Sequence, residues 1–258
     1  MKIPVCGKGG SGKSIVVTLL AYEIRRRGYQ PLVVDSDESN SGLYQMLGFN
    51  QPPIPLMEMI GGKKGLKEKM ANPEVLSQPE ILIETIPSGY ILAKDNLRLV
   101  AIGKILQFLE GCACPMGVLS REFLKKLSLK EKEVVIVDME AGIEHFGRGI
   151  EEGVDIVLIV VEPSVESMRL AERIGHIAKE AGLSNVWAIL NKITSGDLAL
   201  KLKSALAKRK VKVIGTIRYQ TAIFEACLEG RPLDKFGGEE IRKIVDFLIS
   251  RIKSGGNK

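Results

Sequence analysis

Residues Gly7-Lys8-Gly9-Gly10-Ser11-Gly12-Lys13-Ser14 fit G-x-x-x-x-G-K-[ST] at every fixed position, between an apolar run and an amphipathic one. That setting constrains the fold more than any other feature of the chain. The motif works only when a strand delivers the loop and a helix leaves it. Glycines let the backbone wrap a phosphate without Cβ clashes. Loop N–H groups and the helix N-terminus then face the anion. The loop predicts a bound nucleoside triphosphate, with Lys13 at its β- and γ-phosphates and the Ser14 hydroxyl on Mg²⁺.

The rest of the chain agrees with such a fold. Apolar, β-branched runs occur at 2–6, 31–34, 97–102, 133–137, 155–161, 185–190 and 211–217, as suits strands buried on both faces. Amphipathic patterns at 14–27, 164–181 and 238–252 read as helices between them,. The alternation predicts an α/β, doubly wound, mainly parallel sheet flanked by helices, the P-loop NTPase architecture. One domain over 1–258 is expected, with a probable insertion at about 51–94 that is rich in Pro, Gly and Lys. Short helices and a hairpin near 81–92 are expected within it.

Composition serves mainly to exclude. With 45% hydrophobic and 26% charged residues the chain is an ordinary globular one,. No apolar run reaches the roughly 18 residues of a membrane span. The opening MKIPVCGKGG holds no signal-peptide core,, so a cytoplasmic protein that engages no membrane is expected. The net charge of +6 comes without a basic stripe interleaved with aromatics, so no nucleic-acid partner is expected.

Carboxylates close two of the strand runs. Asp35 and Asp37 follow the second run, at the strand ends where open α/β sheets bind ligands,. Asp138 follows Val134-Val135-Ile136-Val137 and is the candidate to hold Mg²⁺, directly or through water,. Cysteine supplies the other chemistry. Of the four cysteines, Cys112 and Cys114 form a C-x-C ahead of a helix expected from about 118 to 127. Thiolates bind soft or borderline metals. Two cannot fill a four-coordinate site, but a symmetric dimer would bring four to its axis. Cys6 and Cys227 lie in a strand and a helix pattern.

The pattern K-G-G-x-G-K-[ST] around Lys8 resembles the deviant Walker A loop of the MinD, ParA and nitrogenase iron-protein class. The resemblance implies that Lys8 crosses a dimer interface to the partner's phosphates, and that Asp37 is the switch aspartate orienting the attacking water, with Asp35 behind it. It also implies that Gly142 lends a backbone N–H to the γ-phosphate, that Asn191 hydrogen-bonds the adenine, and that the loop near Arg218 and Tyr219 lies against the base. Within that class, G-C-A-C-P-M and D-M-E-A-G-I-E-H-F-G-R-G resemble the CooC family, over essentially the whole chain. CooC-type ATPases insert nickel during maturation of carbon monoxide dehydrogenase. This implies ATP/ADP, Mg²⁺ and Ni²⁺ as ligands, a homodimer in the ATP state, and an apo carbon monoxide dehydrogenase or related nickel enzyme as client. Cys112 and Cys114 would take the metal, and Zn²⁺ fits the same thiolates. His145, in the Glu144-His145 pair, also matches the family; a metal-ligand role is open to it, but it reads rather as a structural or interface residue.

Three departures stand out. Pro4 falls inside the first strand, Glu38 stands where Pro is common, and Ile15 stands where the family usually has Thr. Ile15 completes the nucleotide-binding set without the side-chain contact to the α-phosphate. Two alternatives remain open at this level: a partitioning or positioning ATPase, and a reductase carrying a [4Fe–4S] cluster. No cysteine lies between Asp138 and the next strand, which counts against the second.

Overall fold

The computed structural model describes residues 1–37, 42–69, 76–103, 114–140 and 153–255. The first half runs β1 (Lys2–Gly7), α1 (Lys13–Arg26), β2 (Gln30–Ser36), α2 (Leu43–Met46), α3 (Gly62–Lys69), β3 (Ile81–Leu82), β4 (Ile91–Lys94) and β5 (Leu97–Ala101). The middle holds α4 (Cys114–Lys126), β6 (Leu127–Ser128), β7 (Glu133–Met139), β8 (Val157–Val161) and α5 (Val165–Glu180). The remainder is β9 (Val186–Ile193), α6 (Gly196–Lys208), β10 (Lys212–Arg218), α7 (Thr221–Leu228) and α8 (Glu239–Gly255).

The main sheet has eight strands in the order β10-β9-β8-β1-β7-β2-β5-β4. Every neighbouring pair in it is parallel except β4 with β5. Strands up to β7 lie on one side of β1 and those from β8 on the other, so the chain reverses its winding at β1. In such sheets the ligand crevice opens beyond the carboxyl ends of the strands at that reversal. The phosphate loop leaves β1 there.

Side-chain alternation builds two cores from one sheet. Ile3, Val5, Val33, Val134 and Ile136 face α1 and α8. Cys6, Leu32, Val34, Val135 and Val137 face α4, α5 and α6. All seven residues of β7 are buried, which is why its sequence reads as one apolar run. Pro4 is tolerated because the ladder to β8 begins only at Val5, so its missing N–H costs no sheet bond there.

The expected strands all form, and the described residues of 51–94 hold only short elements. Residues 56–60 make a 3-10 turn ahead of α3. Its Leu56, Met57, Leu66, Ile81, Ile83 and Ile86 join the same core as Leu119 and Phe123 of α4. The hairpin is not at 81–92. It joins β4 to β5 through Asp95 and Asn96 at φ +50° and +62°, the left-handed pair that a two-residue turn requires. Ile81–Leu82 instead pairs in parallel with Leu127–Ser128. Helix α4 begins at Cys114 rather than near Val118, because Pro115 suits a first helical turn where no N–H bond is needed.

Candidate nucleotide-binding site

The loop from Lys8 to Gly12 joins β1 to α1, and close approach fixes two glycines, Gly7 at the end of β1 and Gly12 at the end of the loop. A Cβ on Gly7 would lie 2.5 Å from the Val160 carbonyl oxygen of β8. Gly12 caps α1 at φ +92°, and a Cβ there would lie 2.4 Å from Asn191 Nδ2. No acidic residue occupies the first turn of α1 and no side chain caps it. Its N–H groups and dipole therefore remain available to an anion. The Ser11 hydroxyl is buried with no hydrogen-bond partner among the described residues, as fits a loop shaped for a phosphate oxygen. Lys13 is only 6% exposed at the head of the helix.

Parallel pairing of β2 with β7 sets Asp35 opposite Asp138. One residue past the end of β2, the Asp37 backbone N–H donates to Asp35 Oδ1 at 3.3 Å. Burial pushes the Asp138 carboxyl up to about 7, and a Ser14 hydrogen bond opposes this while Asp35 and Asp37 add to it. The Asp138 carboxylate and the Ser14 hydroxyl beside it are hard oxygen donors of the kind a small divalent cation takes,.

The raised value makes a stability prediction. Asp138 ionises near pH 4 when unfolded and near 7 when folded, so folding takes up a proton between those limits. Its contribution is therefore lost as pH rises from about 4 to about 7, and the destabilisation is complete above that. Asp138→Asn should raise the Tm of nucleotide-free protein at pH 8 by roughly 4–10 °C and by only about a third as much at pH 5. Thermal melts of both proteins across that range check this, and equal shifts at both pH values would contradict it.

Asn191 and Lys192 lie near the carboxyl end of strand β9 and reach back to the phosphate loop. Asn191 Nδ2 donates to the Ser11 carbonyl at 2.8 Å, which leaves Oδ1 as the atom that could meet an adenine. Lys192 adopts φ +59°, and its Nζ donates to the Gly10 carbonyl. The same Nζ pairs with Glu162 Oε2 at 3.0 Å, while Lys8 Nζ pairs with Glu162 Oε1 at 3.1 Å. Burial works against ionisation of Glu162, but bonds from Lys192 and Lys8 outweigh it and lower the pKa. Sequence reading missed Glu162 and the role of Lys192. The available signal was a carboxylate directly after the apolar run of β8, the same position that singled out Asp138.

Farther out, the Tyr219 ring is half-exposed and its N–H donates to the Ile193 carbonyl at 3.0 Å. Arg218 pairs with Glu240 at 3.0 Å. Both lie at the end of β10, beside the β9 end that carries Asn191. Cys114 is the first residue of α4. Two turns along that helix, buried Ser120 shares a 3.0 Å hydroxyl–hydroxyl bond with Ser36, the neighbour of Asp37. Glu38, Cys112, Gly142 and His145 lie outside the described residues. Among the described residues, no three His, Cys, Asp or Glu side chains gather in metal-binding geometry.

Residues 4–233 match the CobQ/CobB/MinD/ParA nucleotide binding domain. The chain belongs to that family. It is a P-loop ATPase by family and by the loop just described. An uncharacterized ATP-binding protein of Methanocaldococcus jannaschii is 47% identical over 253 residues, which is 96% of this chain and 99% of that one. The carbon monoxide dehydrogenase accessory protein CooC of Rhodospirillum rubrum is 33% identical over 86% of this chain and 85% of its own. Among solved structures, the cell division ATPase MinD of Pyrococcus furiosus superposes with a TM-score of 0.69 at 21% identity, covering 96% of this chain and 98% of its own. The septum site-determining protein MinD of Pyrococcus horikoshii, complexed with Mg-ADP, gives 0.67 at 19%, over 100% and 96%. These two likenesses bear out the doubly wound fold. Among the described residues, no helix is long and apolar enough to cross a membrane.

Proposed function

We propose that this ATPase is a cytoplasmic, single-domain nickel carrier. It closes into a homodimer on binding ATP and supports nickel insertion into carbon monoxide dehydrogenase or a related nickel enzyme. The sequence likeness to CooC supports the client class. The observation that carries the reading is the bond from Ser36 to Ser120. It ties the strand end beside Asp37 to the helix that Cys114 opens, and so gives nucleotide state a route to the thiol pair.

In this reading Lys13 and the partner subunit's Lys8 neutralise charge on the transferring phosphoryl group, and Asp37 orients the water that attacks it. Ser14 and Asp138 would hold Mg²⁺, which would supply positive charge against the phosphates. The main-chain N–H groups at the head of α1 cradle the phosphates, and Asn191 Oδ1 meets the base. Nickel is cargo. Cys112 and Cys114 of each protomer hold it at the two-fold axis.

The reading predicts reciprocal coupling between metal and ATP. In wild-type protein, a non-hydrolysable ATP analogue should tighten Ni²⁺ binding about tenfold. In Ser36→Ala that gain should fall to twofold or less with the metal still bound. Equilibrium dialysis with and without the analogue measures both. Full coupling in Ser36→Ala would remove this route. Metal analysis of protein purified anaerobically with ATP tests the function itself, and nickel-free, zinc-free protein would overturn it.

A further inference from the structure

We infer that Glu162 is a positioning residue that holds Lys8 back against its own subunit and so opposes ATP-driven dimer closure. The inference rests on the proposed role of Lys8 across the dimer and adds the group that restrains it. Glu162 is fixed before any ligand arrives. Its backbone N–H donates to Ser167 Oγ at 3.1 Å, and its carbonyl accepts from Ser164 N at 2.7 Å, at the capped start of α5. Its carboxylate then spans two lysines, Lys8 on the loop and Lys192 on β9.

The two arms differ in a way that makes a latch. Lys192 is committed three ways: a left-handed backbone, a bond to the Gly10 carbonyl, and the pair with Glu162. A non-glycine residue keeps such a backbone only where contacts over-determine it. Lys8 makes one described side-chain contact, the pair with Glu162, and its side chain is 39% exposed. When Lys8 leaves, Glu162 keeps Lys192 and is not stranded as an uncompensated, half-buried carboxylate, the outcome that makes breaking such pairs costly. The lysine is thus held by a bond that can open without collapsing the loop, while Lys192 and Asn191 keep the Gly10 and Ser11 carbonyls in place. A lysine engaged in cis is unavailable to the partner's phosphates, and this competition sets part of the closure threshold.

The test uses the whole chain with a non-hydrolysable ATP analogue and Mg²⁺ in sedimentation equilibrium. Glu162→Gln should lower the dimer dissociation constant roughly threefold to fivefold, the scale of a partly exposed ion pair. Glu162→Ala should act in the same direction, with melts confirming that both fold. The protein concentration giving half-maximal specific ATPase activity should fall by the same factor, a shift that loss of a merely structural residue does not produce. Unchanged or weaker dimers in both variants overturn the latch. Lys8→Ala separates the two ideas. If it binds the analogue, stays monomeric, and remains so in Lys8→Ala/Glu162→Gln, the role across the dimer stands, and Glu162→Gln alone then decides the latch. If Lys8→Ala still dimerises normally, the role across the dimer fails and the latch fails with it.

Discussion

Lys13→Ala should abolish nucleotide binding and lower ATP turnover at least about a hundredfold, while Asp37→Ala should bind ATP normally and stall hydrolysis to a similar degree. The split follows from where each charge sits. Lys13 is nearly buried at the mouth of α1, close enough to affect the ionisation of both Asp138 and Cys6. No other loop cation has that place, because Lys8 points to Glu162. Asp37 stands past the end of β2, and its N–H is tied to Asp35 Oδ1, so its removal leaves the phosphate cradle intact. Calorimetric titration with Mg·ATP and a phosphate-release assay read the two halves separately. Normal turnover in Asp37→Ala would end its assignment as the water-orienting residue.

What the sequence disclosed follows the range of the forces involved. Strand runs such as Glu133–Met139 were legible because both faces of the sheet are covered, and burial on both faces leaves an unbroken apolar stretch,. The phosphate loop was legible because its whole motif lies in one short segment, although Gly7 and Gly12 also answer to Val160 and Asn191 far along the chain. Helix α6 carries a readable stripe in Ala199, Leu202 and Leu206. The hairpin is set by the turn chemistry of Asp95-Asn96, just beyond the expected 81–92. The pairing of Ile81–Leu82 with Leu127–Ser128 links short segments far apart in the chain, and no local pattern specifies it. The same holds for the site. Lys8, Lys13 and Asp138 announce themselves by motif and strand end. The Lys8–Glu162–Lys192 bridge joins three strand ends that only the sheet order brings together, and nothing in any one segment reveals it.

The cysteines give the second large effect. Cys112→Ala/Cys114→Ala should lose the divalent metal altogether, with stoichiometry falling from one ion per dimer to none. The other two thiols offer no substitute. Cys6 is fully buried in β1, donates to the Leu158 carbonyl at 3.3 Å, and is pushed up to about 12 by burial. Cys227 is raised by burial as well and packs on Met46 Sδ at 3.9 Å. Metal ligation needs the thiolate, so neither competes near neutral pH, and Cys6→Ala and Cys227→Ala should leave the stoichiometry unchanged. One ion per dimer follows because two thiolates leave a four-coordinate site half filled. Nickel among four thiolates can be square planar, whereas zinc would be tetrahedral, so the absorption spectrum separates the metals. Affinity should fall with acid as the thiolates protonate, and it should rise with the ATP analogue as closure assembles the site. Equilibrium dialysis under reducing conditions measures each of these. An unchanged metal content in the double mutant would move the site away from the C-x-C and leave a P-loop ATPase without this cargo.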